Sequence, residues 1–278
     1  MNRNFPDLVF RKGCCAEPTH FPDKMAKCED MAHDIASRFG GPTSIDAVFT
    51  CCKNGVPPEV KGKKFYPPIY DHAAVQCTVN DVTMLAWNLE GLCDDAYNAH
   101  ESRRRMAVAR DVFDKHVFDK LENVPQVLLF QELFLRSNMP KANAETVAKE
   151  TVRFLIGARF DKYNVYYDGF TGCTCVAKEL GDQKPKFIPR PNDPTKKSTV
   201  VKAGDLYVVN VHLKAIQMSV RGTQLHLEEV GNILRNVQAE VAQCPVVFIG
   251  DHNTTNAQYL YMNAPNSRGG RKTRSRKK

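Results

Sequence analysis

The stretch "YDHAAVQCTVNDVTMLAWNLEG", residues 70–91, sets two apolar-rich runs on either side of Asn80-Asp81. That dipeptide suits a two-residue turn, so the stretch predicts a β-hairpin with strands over 73–79 and 82–88. A hairpin brings the far ends of its strands side by side. Asp71-His72 and Asn88 are therefore expected to meet at one end of a sheet.

Working outward, further apolar runs predict strands over 45–51, 126–131, 163–167, 173–178, 205–212 and 245–250. Apolar residues recur at helical spacing over 24–39, 101–121, 143–158 and 221–242. The stretch "QKPKFIPRPNDPTKKS" (183–198) reads as a Pro- and Lys-rich loop. No internal repeat and no dividing linker interrupts this mixture. It predicts one α/β domain over 1–265 followed by a basic tail, 266–278.

Composition narrows the classes further. With 278 residues, 42% hydrophobic and 25% charged, the chain has ordinary globular make-up and enough length for a substantial core. No apolar run approaches the ~20 residues of a membrane span. "MNRNFPDLVF" lacks the apolar core of a signal peptide, so an intracellular protein, cytoplasmic or nuclear and not secreted, is expected. Nearly all of the net charge of +8 lies in the tail. Residues 267–278 hold seven of the 39 Lys and Arg residues and no acid, leaving 32 basic against 31 acidic residues elsewhere. A tail of this kind suits a solvated segment that touches nucleic acid electrostatically or serves as a nuclear import signal. The ten cysteines include no Cys-x-x-Cys pair, which speaks against structural zinc and for reduced, buried thiols.

Chemistry enters where the apolar runs stop. "MLAW" delivers Asn88, "QVLLFQ" delivers Glu132, "LYVVNV" delivers His212, and "PVVFIG" delivers Asp251 with Asn253 close behind. One polar residue after a strand is ordinarily a turn or cap. Four core-type strands each ending this way predict one rim of a sheet lined with site residues.

On these residues the chain resembles the endonuclease/exonuclease/phosphatase superfamily, the DNase-I-like phosphodiesterases. "WNLEG", "LLFQEL", "VVNVHLKA" and "VFIGDHNTTN" resemble its ordered motifs, and "RGTQLHLEEVGNIL" the helix after its Asn-x-His-Leu strand. The family ordinarily continues past Gly-Asp-x-Asn to an Ile-Asp strand and a Ser-Asp-His motif. Only 25 residues follow Asn253 here, without that motif, whereas "SIDAVFTCC" (44–52) and "IYDHAAVQC" (69–77) resemble the missing pieces. The resemblance thus implies a circular permutation in which the family's last two strands come first, with the strand over 45–49 running next to the 73–88 hairpin and Asp46 within hydrogen-bonding reach of His72. Tyr70 stands for the usual serine, Ser44 for an arginine and His252 for a phenylalanine.

The resemblance implies a two-layer β-sandwich flanked by helices (α/β/β/α) and divalent-metal-dependent hydrolysis of phosphodiesters. It implies Glu132 and Asp71 as ligands of Mg2+, or of Mn2+ in its place. Asp251 would activate water with Asn88 and Asn253, His72 held by Asp46 would contact the scissile phosphate, and His212 would add a further phosphate contact. Nucleic acid is the expected substrate, with an inositol phosphate or phospholipid head group as the alternative. Tyr166, Tyr167 and Phe170 are the aromatic candidates for base contact. A catalytically inactive member that binds nucleic acid or serves in assembly is the reading from a different class.

Overall fold

The computed structural model describes residues 46–51, 60–65, 67, 70, 72–92, 99–118, 124–134, 141–181, 184–215, 220–241 and 244–253. The expected helix over 24–39, Asp71 and the basic tail lie outside them. Eleven strands form two sheets among the described residues. The first sheet has six strands: β2 (Val60–Phe65), β3 (Ala74–Val79), β4 (Val82–Asn88), β5 (Val127–Gln131), β6 (Tyr163–Tyr167) and β7 (Cys173–Ala177), in the order β2-β3-β4-β5-β7-β6. The second has five: β1 (Asp46–Cys51), β8 (Lys186–Arg190), β9 (Asp193–Ala203), β10 (Leu206–His212) and β11 (Val246–Asp251), in the order β1-β11-β10-β9-β8.

The two-residue period of a strand explains how the sheets stack. On β4, Val82, Met84 and Ala86 join Val127 and Leu129 of β5 and Val208, Val247 and Ile249 of the other sheet in one inter-sheet core. The alternate residues, Leu85, Trp87, Leu128 and Phe130, pack outward beneath α1 (Ala99–Val112) and α2 (Lys141–Ile156). Val209, Val211 and Phe248 likewise pack beneath α3 (Val220–Asn236), through its Val230, Ile233 and Leu234. Strands buried on both faces need unbroken apolar runs, which is why these segments show no alternation in the sequence. The result is the expected two-layer sandwich with helices outside. A short α4 (Gln238–Val241) follows α3.

The hairpin forms in the expected register, Val75↔Ala86 through Val79↔Val82. Asn80 and Asp81 take φ of 44° and 64°, the left-handed pair that a tight hairpin turn demands and that Asn and Asp tolerate. Cys77, Cys173 and Cys175 are buried free thiols, as expected, and Cys244 is partly buried. No described helix is long and apolar enough to cross a membrane.

Two expectations need correction. Residues 183–198 are not a loop: β8 and β9 pair antiparallel there, Lys186↔Val200 through Arg190↔Asp193. Pro189 is tolerated because β8 is an edge strand and the ladder shifts register between Pro189 and Arg190. The strand with Asp46 does not run beside the β3–β4 hairpin. It pairs with β11 in the other sheet and meets β3 across the inter-sheet core.

Candidate active site

Each sheet contains one parallel pair of the strands singled out above. Asn88 aligns with Gln131 across β4 and β5, and His212 with Asp251 across β10 and β11. Parallel pairing sends both C-terminal ends of a pair to the same edge, and stacking the sheets sets the two edges face to face. The alternation that puts Ala86 and Ile249 in the inter-sheet core also points Asn88 and Asp251 inward, where they are 1% exposed. Asn88 Nδ2 donates to Asp251 Oδ2 at 2.9 Å, joining the sheets at the rim.

Asp251 is held from a second side. Asn253 Nδ2 donates to the same Oδ2 at 2.8 Å, and the Asn253 backbone N–H to Oδ1 at 2.7 Å. These are contacts that only an oxygen acceptor can make, so the carboxylate is fixed in orientation. Asn253 takes φ of 49°, a backbone turn that lets its amide fold back and also reach the Leu213 carbonyl at 2.8 Å. Gly250, at φ of 137°, passes so close to β10 that a Cβ there would run into the Val211 carbonyl oxygen.

Glu132 follows β5 in the same left-handed conformation, φ 49°. A non-glycine residue held there costs about 1–3 kcal/mol and marks a place where aim matters more than comfort. Its Oε1 lies 3.2 Å from His212 Nε2, which is itself 3.8 Å from Asp251 Oδ2. Burial pushes the Glu132 carboxyl up. The hydrogen bond and charge of His212, with the charges of His72 and Lys196, outweigh burial and hold it below its ordinary value. The carboxylate is thus ionised, 29% exposed, and its Oε2 accepts no hydrogen bond among the described residues.

His72 reaches this cluster through the open end of the hairpin. Its backbone N–H donates to Glu90 Oε1 at 3.3 Å, while the Glu90 N–H donates to Asn88 Oδ1 at 2.9 Å. Arg105 pairs with the other Glu90 oxygen at 2.9 Å. Tyr70 anchors the approach: its ring packs edge-on against Trp87, 5.0 Å between centroids, and its hydroxyl donates to the Arg105 carbonyl at 2.8 Å. Tyr70 is thus a packing group.

Of the residues singled out in the sequence, Asn88, Glu132, His212, Asp251 and Asn253 gather at one place, with His72 within electrostatic reach of Glu132. Asp46 sits beside Asp251 in the β1–β11 register, its side chain outside what is described. Asp71 also lies outside. Several supporting groups carry little or no mark in the sequence. Gln131 Nε2 donates to Asn210 Oδ1 at 2.5 Å across the sheets, and Asn210 Nδ2 to Thr174 Oγ1 at 3.1 Å. Buried Arg190 donates to the His212 carbonyl, with Glu229 4.0 Å from its Nε. Asp168 accepts the Phe170 and Gly172 N–H groups at 2.6 and 3.0 Å. Asn210 could have been found, since it continues the inward parity of Leu206 and Val208; Arg190 and Asp168 carry no such signal.

Among the described residues, no group of three or more His, Cys, Asp or Glu side chains is arranged to hold a metal. A hard cation of the Mg2+ type commonly takes only one or two carboxylates and completes its shell with water and substrate phosphate. The ionised Glu132, with one oxygen open, fits that requirement.

No protein-family model matches this chain. No curated protein matches it either. Among solved structures it is similar to TDP2 of Caenorhabditis elegans, at 18% identity and a TM-score of 0.44, over 66% of this chain and 50% of that one. A humanized D. rerio TDP2 is similar at 15% identity and a TM-score of 0.44, over 66% and 68% of the two chains. So is a conserved protein of unknown function from Enterococcus faecalis, at 13% identity and a TM-score of 0.43, over 64% and 69%. The chain thus spans half the length of the first of these structures. Likeness at this level leaves the function to be read from the site.

Proposed function

We propose that this chain is a divalent-metal-dependent phosphodiesterase of the endonuclease/exonuclease/phosphatase type, acting on nucleic acid. The observation that carries the reading is the Asp251 carboxylate, clamped by Asn88 and Asn253 with His212 and Glu132 alongside. In this reading Asp251 orients a water and takes its proton as the water oxygen attacks phosphorus and the bond to the leaving oxygen breaks. Asn88 and Asn253 keep the accepting oxygen in place. His72 and His212 donate to the phosphate oxygens, and Asp46 holds the His72 ring. Glu132, with Asp71, would hold Mg2+ or Mn2+; when bound, such a cation neutralises charge developing on phosphate and leaving group. The Asn80-Asp81 turn then joins segments that the family carries at opposite ends of its chain, which is the permutation inferred from motif order. We take 1–265 as one domain, with the basic tail of 267–278 adding sequence-independent attraction for long nucleic acid.

The test is a substrate panel with Mg2+, Mn2+ and EDTA: labelled single-stranded and duplex DNA and RNA, an inositol phosphate and a phospholipid. Cleavage of nucleic acid that EDTA abolishes is expected, with a loss of orders of magnitude in Glu132→Ala. Full activity in EDTA sinks the metal assignment. Oligonucleotide bound but uncleaved in every metal makes the chain an inactive binding or assembly protein. Removing 267–278 should weaken binding to long strands at low salt and flatten the salt dependence. Unchanged binding removes the tail from the reading.

A further inference from the structure

The β8–β9 hairpin is longer than the sheet beside it. β10 pairs with β9 only over Thr199–Ala203, so Asp193–Ser198 pair with β8 alone, alongside and beyond the end of β10 at His212. From the opposite sheet, the 168–172 turn stands on the same rim, held by the Leu133 N–H to the Thr171 carbonyl at 2.9 Å. The two meet: Lys196 Nζ lies 4.8 Å from the centre of the Phe170 ring. Lys197 Nζ lies 5.7 Å from the Phe187 ring and borders Gly169. Phe187 is 37% exposed, so its ring is open to solvent.

Gly169, Phe170, Phe187, Lys196 and Lys197 thus make one continuous wall beside the site. Lys196 is under the influence of the charges of Arg190 and Lys214 as cations and of Asp193 and Glu132 as acids. By strand spacing, Phe187 stands two strands, about 10 Å, from Asn210 along the sheet. Aromatic rings interleaved with ammonium groups along a cleft are the chemistry that holds an unpaired nucleic-acid strand: bases stack, phosphates meet cations, and neither contact depends on sequence.

We infer that this wall binds single-stranded nucleic acid flanking the scissile phosphate, with a base stacked on Phe187 and backbone phosphates on Lys196 and Lys197. The inference deepens the phosphodiesterase reading and names its substrate as unpaired strand. A base within a duplex has no face to offer the ring, so duplex should bind less tightly.

The test is fluorescence anisotropy of the full chain in EDTA, with short labelled DNA and RNA strands and their duplexes, over a salt series. Phe187→Ala should weaken single-strand binding roughly 5- to 100-fold without changing the salt slope, and Phe187→Trp should restore it. Lys196→Ala and Lys197→Ala should each lower the slope by about 0.7, and Lys196→Arg should keep it. Wild-type affinity in the alanine variants at every salt, or equal affinity for single strand and duplex, overturns the wall. Because binding is read without metal, a strand that binds here yet is never cleaved supports the wall while sinking the hydrolase reading. Cleavage indifferent to all three alanine variants does the reverse.

Discussion

Asn88 and Asp251 lie 163 positions apart and in different sheets, yet they share a hydrogen bond of 2.9 Å where both are buried. Each ends a row of inward apolar side chains, so the sandwich itself delivers them to one another.

That pairing has a kinetic consequence. In the proposed mechanism, Asn88→Ala removes one of the two amide donors to Asp251 Oδ2 and loosens its alignment with the attacking water. Turnover should fall by about 10²–10³ while KM changes little, because the lost contact positions a reacting group and does not bind substrate. Stability should fall by roughly 1–3 kcal/mol for the buried acceptor left short of a donor. A variant with wild-type kcat would show that Asp251 needs no such clamp.

Gly250 tests the same geometry from the backbone. Its φ of 137° and its contact with the Val211 carbonyl leave no room for a side chain, and the obstacle is backbone. Gly250→Ala must push β11 from β10 beside the residue that carries Asp251. We expect about 2 kcal/mol or more of destabilisation in chemical denaturation, with activity lost even where the variant stays folded. An active variant of unchanged stability would mean that the strands are not so tightly apposed.

How much of this is legible in the sequence follows from where each residue sits. Strands buried on both faces write unbroken apolar runs, and the residue ending each run is where a polar side chain becomes tolerable. Asn88, Glu132, His212 and Asp251 therefore stand out from the sequence alone. Edge strands write no such signal. β2 reads "VKGKKF" and β8 "KFIPR", lysine-rich and in one case proline-bearing, because edges are protected by charge and proline. That disguise makes the β8–β9 hairpin look like a loop. Partner choice is equally hidden: nothing in "SIDAVFTCC" says that its strand joins β11 and not the neighbouring hairpin.

Asp168 makes a pH prediction. Burial pushes its carboxyl up to about 6, against the backbone N–H groups of Phe170 and Gly172 and the charge of His212, which pull it down. The native state therefore holds this proton more tightly than the unfolded chain, whose carboxyl has the ordinary value of 3.8. Its contribution to stability is fully present below the unfolded value and is lost as pH rises through about 6. Asp168→Asn lacks that loss but leaves one of the two N–H groups without an acceptor, a cost independent of pH. The variant should be less stable than wild type in acid, with the gap narrowing as pH rises from about 4 to 7. A gap constant across thermal melts in that range would show that Asp168 does not titrate there.

The final prediction concerns His72 and the order of the chain. The hairpin's open end puts His72 beside Glu90 and Asn88, and its charge is felt at Glu132. In the proposed permutation this is the displaced Asp-His of the family, arriving from the N-terminal side. A chance tripeptide at a strand end would touch nothing reactive. A displaced catalytic pair would contact the phosphate and support the transition state. His72→Ala should then lower kcat by about 10²–10⁴ on a small phosphodiester whose leaving group needs no flanking base. Because His72 is only partly buried and precedes β3, its loss should cost less than about 1 kcal/mol in Tm-derived stability. The pairing of results is what decides. A large stability loss with proportionate activity loss makes His72 a packing residue, and unchanged kcat removes it from the site. Either outcome takes the permutation with it, since the Asn80-Asp81 hairpin would then join two ordinary strands and no displaced motif.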